Sequence, residues 1–372
     1  MSDVDSAGTI HPPYSLRHDY LLWALVALLI VLAVAYPAKP AIYMQQVNWP
    51  TIGTLLGLMV LTKGLELSGW LHRLGQKIVI RITRVRMLAL VLIAGSGLLA
   101  MLLTNDIALF VVVPLTLRLG ELAKLPVRRL VIFEALAVNA GSVLTPIGNP
   151  QNILLWQLSG MHITRFMLSM LPPFLVTSVC LLSLTFWAFP AQRVRLHENR
   201  PLPRMRWNLL TTALILYIPF LVLADIHQVT AGLVLVAVVF IVGFPQLLPK
   251  IDWPLLVVFI LMFIDLGLLA RYSIPGQLQL AHTGEVYLAG ALGSQIISNV
   301  PATILLTKYS SDWVTLAWAV NIGGFGLVTG SLANLIALRL GRQPGSFTAF
   351  HAWSVPFFLV VGTLTGLWLV FR

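Results

Sequence analysis

The amino-acid sequence predicts an all-α polytopic membrane protein built from two inverted-topology repeats, each with a re-entrant hairpin and a broken transmembrane helix. Composition gives the class, because 58% of the 372 residues are hydrophobic, only 10% are charged and the mean hydropathy is +0.89. A soluble domain carries about 25% charged residues. The net charge of +11 does not indicate nucleic-acid binding. The basic residues lie between apolar runs, as in the cytoplasmic loops of membrane proteins.

Matched polar interruptions inside apolar runs indicate the repeat. Each half of the chain has a short polar tip within one run, followed by a run broken by Asn, Gly and, in the first half, Pro. In both broken runs, the last asparagine lies 13 positions after the first. Broken apolar segments at corresponding places in two halves point to the binding site of a repeat-built transporter. The matched positions are Asn139 with Asn321, Gly148 with Gly330, and Asn152 with Asn334.

The elements follow from the lengths of the apolar runs. A full crossing takes about 20 residues, so two shorter runs that meet at a polar tip predict a hairpin. A cleaved signal sequence is an alternative for residues 21–36, but that run is needed to complete the first repeat. The predicted segments are an N-terminal arm (1–19), repeat 1 (20–189, hairpin near 87–117, broken helix 130–156), a basic cytoplasmic linker (190–206), a connecting helix (207–228) and repeat 2 (229–372, hairpin near 285–309, broken helix 312–340).

The distribution of basic residues predicts the orientation. With a cytoplasmic N-terminus, 18 of the 24 Lys and Arg residues lie in inner segments, five lie in outer segments, and Lys63 lies within a span. The positive-inside rule therefore favours a multi-pass protein of the bacterial inner membrane, with the N-terminus cytoplasmic and the C-terminus periplasmic.

The broken segments predict the binding site. Non-helical chain at membrane depth exposes carbonyls that can bind a cation, and helix N-termini that favour an anion. Asn149 before Pro150 is a typical cap for a restarting helix, and we expect Asn299, shortly before Pro301, to cap in the same way. The alternative is that these residues only kink and cap helices. The predicted substrate-binding residues are Thr104, Asn105, Asn139, Thr145, Asn149, Asn152, Ser298, Asn299, Thr303, Asn321, Ser331 and Asn334.

Some of these residues are also candidates for the coupling ion. A carboxyl at membrane depth can be neutral in one state and ionised in another, as proton coupling requires. Asp106 has Val300 at its matched position; the alternative is that Asp106 only caps a helix. We interpret Glu66 and Glu134 as interfacial, and Lys63 as a counter-ion to one of the two coupling aspartates. The predicted coupling-ion residues are Asp106, Asp265, Asn105, Gly148, Asn299 and Gly330, and the candidate sodium ligands are Asn105, Asn152, Asn299 and Asn334.

These motifs resemble the ion transporter superfamily, which includes citrate–metal symporters, arsenite efflux permeases, NhaD-type sodium/proton antiporters and sodium/dicarboxylate symporters. The chain is most similar to uncharacterised bacterial inner-membrane members of the anion-permease type. The resemblance implies an inverted-repeat fold, a homodimer formed through a scaffold domain, and elevator-like movement of a domain that carries both hairpins. It rests on residues 104–106, 148–152, 298–299 and 330–334.

The resemblance also assigns roles at the hairpin tips. Dicarboxylate symporters have Ser-Asn-Thr at each tip, which implies sodium and substrate contacts for Thr104 and Asn105 and for Ser298 and Asn299. The third positions are Asp106 and Val300 instead of threonine. Thr-Asn-Asp is more similar to the arsenite and NhaD branches.

The sequence therefore predicts a secondary active transporter that moves a small anion or oxyacid, coupled to H⁺ or Na⁺. A sodium/proton antiporter is the alternative, and a channel or an intramembrane enzyme is a remote third. The sequence contains no catalytic motif of a hydrolase, and it contains a single cysteine, Cys180. We expect no cofactor other than bound Na⁺, no nucleic-acid partner, and three interactions: with the substrate, with the lipid bilayer and with a second copy of the chain.

Overall fold

A computed structural model describes residues 20–371 except 38, 80–81, 124, 195–203 and 273–279. The predicted N-terminal arm and much of the basic linker therefore lie outside the described residues. The described chain is helical, and an isolated antiparallel bridge pairs Arg84 with Arg193. In chain order the helices are α1 (Tyr20–Ala35), α2 (Pro40–Gln46), α3 (Trp49–Leu67), α4 (Trp70–Val79), α5 (Val85–Leu102), α6 (Asn105–Leu122), α7 (Val127–Ser142), α8 (Pro150–Ser159), α9 (Ile163–Ala188), α10 (Trp207–Asp225), α11 (Val229–Gly243), α12 (Trp253–Tyr272), α13 (Thr283–Ile297), α14 (Asn299–Leu306), α15 (Trp313–Ile322), α16 (Leu332–Gly341) and α17 (Ser346–Val370), with 3₁₀ turns at Pro245–Lys250 and Val328–Gly330.

Five of the described helices are long and apolar enough to cross a membrane, namely α5, α9, α10, α12 and α17. The prediction of an all-α polytopic membrane protein is confirmed. The first hairpin differs from its prediction in length, because α5 and α6 have 18 residues each and include charged residues at their outer ends. The prediction of a re-entrant hairpin assumed two helices too short to cross the membrane, and α5 is long enough to cross. Re-entrance of this hairpin stays a prediction.

Helices end and restart inside both segments that the sequence predicts as broken helices, and that each segment is one broken transmembrane helix stays a prediction. The first break (residues 143–149) separates α7 from α8, and the second break (residues 323–331) separates α15 from α16. Asn149 caps α8 as predicted, since its side chain accepts a hydrogen bond from the Asn152 amide, with Pro150 at the first helical position. Asn299 does not cap α14. Ser298 occupies the cap position with a φ of 73°, and Asn299 is the first helical residue.

The chain divides into two compact units, and each draws helices from both predicted repeats. Unit 1 comprises Met1–Trp70 and Leu202–Gln279, and unit 2 comprises Leu71–Pro201 and Leu280–Arg372. In unit 1, α3 packs against α10 and α11, and α12 packs against α1 and α2. Lys63 forms an ion pair with Glu66 at 3.0 Å within α3. The interpretation of Lys63 as a counter-ion to Asp106 or Asp265 is therefore wrong, and Glu66 is a buried partner instead of an interfacial residue.

In unit 2, the helix contacts occur in matched pairs. Helix α5 packs against α7 as α13 packs against α15, and α7 contacts α9 as α15 contacts α17. The second helix of each hairpin packs against the restarted half of the other repeat's broken helix, so that α6 contacts α16 and α14 contacts α8. The pairing agrees with a twofold repeat. The opposite orientation of the two repeats in the membrane stays a prediction.

Glycines allow the closest of these crossings. A Cβ atom on Gly141 of α7 would overlap the carbonyl of Gly97 on α5, so the two backbones are in direct contact. At the matched position just after α15, a Cβ on Gly323 would lie 2.5 Å from the Ser294 Cβ and 2.9 Å from the Ala291 carbonyl of α13. Each hairpin thus has its first helix locked against the broken helix of its own repeat.

Cysteine labelling tests the inverted orientation. Glu121 at the end of α6 and Lys308 just after α14 are exposed and follow the second helix of each hairpin. In a Cys180→Ala background, we expect Glu121→Cys to react with an impermeant maleimide from the cytoplasmic side and Lys308→Cys from the periplasmic side. Labelling of both cysteines from one side of sealed vesicles would contradict the inverted repeat.

Candidate functional site

Five asparagines join the two broken helices of unit 2; we call them the amide network (Asn139, Asn149, Asn152, Asn321 and Asn334). Asn321 Oδ1 accepts from Asn149 Nδ2 at 2.9 Å, and Asn321 Nδ2 donates to Asn152 Oδ1 at 2.7 Å. Asn139 Nδ2 donates to Asn334 Oδ1 at 2.8 Å. Each bond joins one repeat to the other, so the structure brings these five predicted residues together.

The network also satisfies backbone carbonyls that the breaks leave without helical partners. Asn152 Nδ2 lies within hydrogen-bonding distance of the carbonyls of Ser142 (3.0 Å), Val143 (3.3 Å) and Thr145 (3.1 Å). In the second break, Asn334 Nδ2 donates to the Gly324 carbonyl at 2.9 Å. Asn152 and Asn334 are fully buried, and both of their amide groups are occupied. The carbonyls that the sequence offered to a cation are therefore partly bound by side-chain amides.

The first hairpin tip (residues 103–106) rests on the first break. The Asn105 backbone amide donates to the Gly148 carbonyl at 2.9 Å, and the Thr145 hydroxyl donates to the Met101 carbonyl at 2.8 Å. Gly148 is required for this packing, because a Cβ there would lie 2.7 Å from the Ser142 Cα and carbonyl oxygen. Thr145 and Gly148 thus have structural contacts, and a role in ligand or ion binding stays a prediction for both.

Gln295 performs the corresponding task in the second repeat, and sequence reasoning missed it. Its Nε2 donates to the carbonyls of Gly323 at 2.7 Å and Phe325 at 2.9 Å, and its Oε1 accepts from the Leu327 amide at 2.7 Å. The Thr329 hydroxyl donates to the Gln295 carbonyl at 2.8 Å. An amide side chain inside an apolar run, three residues before Ser298, is the signal that could have identified Gln295.

The second hairpin tip (residues 297–300) has polar side-chain groups that form no hydrogen bond with the described residues; we call such groups open. The Ser298 hydroxyl is buried and has no hydrogen-bond partner among the described residues. The Asn299 side-chain amide forms no hydrogen bond in the described part of the chain, although it lies beside the amide network. A Cβ on Gly324 would be 3.2 Å from Asn299 Nδ2 and 3.5 Å from Asn139 Oδ1.

The remaining predicted residues differ in their availability. Thr104 precedes α6, and its hydroxyl forms no cap hydrogen bond. Asn105 Oδ1 accepts from the Asp106 amide at 3.0 Å, which leaves the Asn105 NH₂ group available. By contrast, the Thr303 hydroxyl donates to the Asn299 carbonyl at 2.7 Å, and the Ser331 hydroxyl accepts from the Ala333 amide. A Cβ on Gly330 would lie 2.5 Å from the Gly323 carbonyl, so close packing requires this glycine.

The acidic candidates fall into different places. Asp106 lies in the first turn of α6 at the first hairpin tip. Asp265 is buried in α12 of unit 1, whereas every other predicted site residue belongs to unit 2. Glu134 is fully buried in α7, so its interpretation as an interfacial residue is wrong. The described residues contain no group of three or more His, Cys, Asp or Glu side chains that could hold a metal ion.

Alanine substitutions separate the network from the open groups. Asn152→Ala removes a buried donor that lies near three carbonyls, and it leaves the Val143 carbonyl without a donor among the described residues. An unsatisfied buried group costs about 1–3 kcal/mol, so we expect a clear fall in melting temperature. Asn299→Ala removes an amide that binds no described residue, so its melting temperature should stay close to that of the wild type. Thermal unfolding of the purified proteins in one detergent measures both. Equal losses in the two variants would contradict this division.

Comparison with known proteins agrees with the geometry. The model of a family described as citrate transporter matches residues 19–319. Inner membrane protein YbiR of Escherichia coli is 44% identical over 349 residues, which cover 93% of this chain and 94% of that protein. An uncharacterised transporter of Methanocaldococcus jannaschii is 32% identical over 330 residues, or 87% of this chain and 90% of its own. The silicon efflux transporter LSI3 of Oryza sativa is 31% identical over 129 residues, or 35% of this chain and 27% of its own. These matches confirm a membrane transporter instead of an enzyme, and the chain belongs to the citrate transporter family.

Proposed function

We propose that this protein is a secondary active transporter of the inner membrane, which moves a small anion or oxyacid coupled to H⁺ or Na⁺. The observation that carries the proposal is the contrast within unit 2 between a saturated amide network and open polar groups at the hairpin tips. The open groups are the Thr104 and Ser298 hydroxyls and the side-chain amides of Asn105 and Asn299. They are the groups that would contact the cargo.

The chemistry around the tips supports an oxygen-rich cargo. Helix N-termini carry free amides and a partial positive charge, which favour anions and polar oxyacids. Four helices of unit 2 begin at predicted site residues or next to them: α6, α8, α14 and α16. None of the hydrogen bonds of the amide network involves Lys, Arg or His among the described residues. Such a site suits a neutral oxyacid, or an anion whose charge a co-transported cation balances.

The descriptions of similar proteins support a substrate that is rich in oxygen atoms. The family description names citrate, and one partial relative is named as a silicon efflux transporter. Both cargoes carry several oxygens that accept and donate hydrogen bonds. We therefore propose citrate, silicic acid and arsenite as the first probes, the last because of the arsenite-permease resemblance of the first tip.

Sodium is one candidate for the coupling ion. Asn152 Oδ1 and Asn334 Oδ1 already accept from other asparagines, so these two are poor ligands in this arrangement. The Ser298 hydroxyl and the side-chain Oδ1 of Asn299 are the better candidates, because neither oxygen has a hydrogen-bond partner among the described residues. A sodium ion there would balance the charge of an anionic cargo.

The division into units supports an elevator mechanism. Unit 2 holds both hairpins, both breaks and the whole amide network, so the cargo and these groups would move together. We propose that unit 1 is the scaffold and forms the homodimer. The proposed orientation places the N-terminus in the cytoplasm and the C-terminus in the periplasm.

Binding and counterflow test the proposal. We expect at least one of citrate, silicic acid and arsenite to raise the melting temperature of the purified protein, and to exchange across proteoliposomes. Asn299→Ala should reduce that exchange at least tenfold, because the cargo loses an amide contact. Asn208→Ala, which removes an exposed asparagine on α10, is the matched control. Normal exchange by Asn299→Ala would place the site elsewhere, and the absence of binding by all three probes would count against this substrate class.

A sodium/proton antiporter is the second candidate, and Asp106 next to Asn105 is the feature that favours it. An antiporter exchanges Na⁺ for H⁺ in proteoliposomes without any other cargo. The anion carrier does not move protons until its cargo is added. Sodium-driven alkalinisation or acidification of otherwise empty vesicles therefore decides between the two functions.

Asp106→Asn separates ion coupling from a structural role of this residue. Asparagine suits the first turn of a helix at little cost but cannot bind a proton in this pH range. If Asp106 couples protons, the variant should exchange the active probe by counterflow and lose accumulation driven by a pH gradient. Unchanged accumulation would leave Asp106 as a helix-terminal residue. The exposed Glu121→Gln variant on the same helix controls for loss of charge.

A further inference from the structure

Glu134 is a carboxyl group enclosed in the core of unit 2. The residue is 0% exposed, and its neighbours in α7, including Phe133 and Ala135, belong to a large apolar cluster. The Thr116 hydroxyl of α6 donates a hydrogen bond to Oε1, and Oε2 is buried with no partner among the described residues. Burying an unpaired carboxylate is costly, and such groups at membrane depth are functional candidates.

No described cation balances this carboxyl group. The elements packed against α7 are α5, α6, α9, α16 and α17, and none of their basic side chains forms an ion pair with Glu134. Arg86 and Arg129 donate to the Phe189 and Ala188 carbonyls at the end of α9, and Arg128 donates to the Pro344 carbonyl. The described titratable or charged residues on α7 and on these elements are Arg86, Asp106, Arg118, Glu121, Arg128, Arg129, Arg165, Cys180, Arg339 and His351.

Glu134 connects α7 to α6, the helix that begins at the first hairpin tip. Helix α6 is linked to the first broken helix at two points, to α7 by the Thr116–Glu134 hydrogen bond and to the first break by the bond from the Asn105 amide to the Gly148 carbonyl. These points are about 16 Å apart along α6. On its other side, α7 is locked to α5 through the contact of Gly141 with Gly97. A change at Glu134 therefore acts first on α6, which begins at the first hairpin tip.

We propose that Glu134 is a proton-binding site whose occupancy controls the first hairpin tip. With the proton on Oε2, the carboxyl is neutral and α6 stays packed against α7. When the proton is released to water, a charged carboxylate remains in a site that holds no room for water while α6 and α7 are in contact. The charged form is therefore unstable in the closed arrangement. Water must then enter between the helices, and the tip loosens from the first break. The proposal deepens the proton-coupling part of the proposed function and rests on it.

Hydrogen–deuterium exchange without any cargo tests the proposal. The full-length protein in lipid nanodiscs is labelled from mildly acidic to alkaline pH, with correction for the intrinsic pH dependence of exchange. In the wild type, we expect peptides that cover residues 103–106 and 143–149 to lose protection as pH rises. Glu134→Gln keeps the shape and the acceptor for Thr116 but cannot ionise, so its protection should not change with pH. Glu121→Gln, which removes an exposed carboxyl from α6, should behave like the wild type.

A second variant keeps the test decisive if Glu134→Gln does not fold. Thr116→Val removes the donor that stabilises the carboxylate, so the midpoint of the exchange response should move up by roughly one pH unit or more. An unmoved midpoint, a wild type without any pH response, or a full response in Glu134→Gln would each overturn the proposal. The last result would assign the response to another group, such as Asp106. Because no cargo is present, these outcomes are independent of whether the transport assays succeed.

Discussion

Unit 2 depends on one physical constraint: a helix that is broken in the interior of a protein leaves backbone groups that water cannot satisfy. Each unsatisfied group costs several kcal/mol in hydrocarbon. Asparagine answers this constraint with two donors and one acceptor on a short side chain. Asn152 uses its donors on the carbonyls of the first break and its acceptor on Asn321 of the other repeat. The same groups that satisfy the break therefore also hold the two repeats together.

This arrangement separates the side chains that hold the broken helices together from the side chains that are available to bind a ligand. The asparagines of the broken helices are buried and largely occupied by one another, which fixes their orientation. The hairpin tips lie beside this fixed assembly with hydroxyls and amides uncommitted. The backbone of Ser298 is held at a φ of 73°, which is rare for a residue other than glycine. Strain of this kind is often found at binding sites, where the surrounding structure holds it in place.

Composition and helix breakers report directly on local structure, so the sequence predicted the all-α membrane class and the Asn149 cap. Helices also end and restart within both segments where a break was predicted. The inverted orientation of the repeats and the re-entrance of the hairpins stay predictions. The sequence did not show which polar side chains are buried in the protein or what they contact. Glu134 was interpreted as interfacial, yet it is enclosed by other helices. Gln295 gave no motif, since its partners are backbone groups of a break about 30 residues later. The two units were also hidden, because their helices alternate along the chain.

The amide network has a consequence for the synthesis and assembly of the protein. Asn149 and its partner Asn321 are 172 residues apart, and Asn139 and Asn334 are 195 residues apart. A ribosome adds residues from the N-terminus, at about 5–20 per second. The first broken helix therefore leaves the ribosome many seconds before its partners exist. Throughout that interval the side chains of Asn139 and Asn149 lack the partners that the second repeat later provides. The last third of the chain therefore completes the amide network around a first break that has been synthesised long before it.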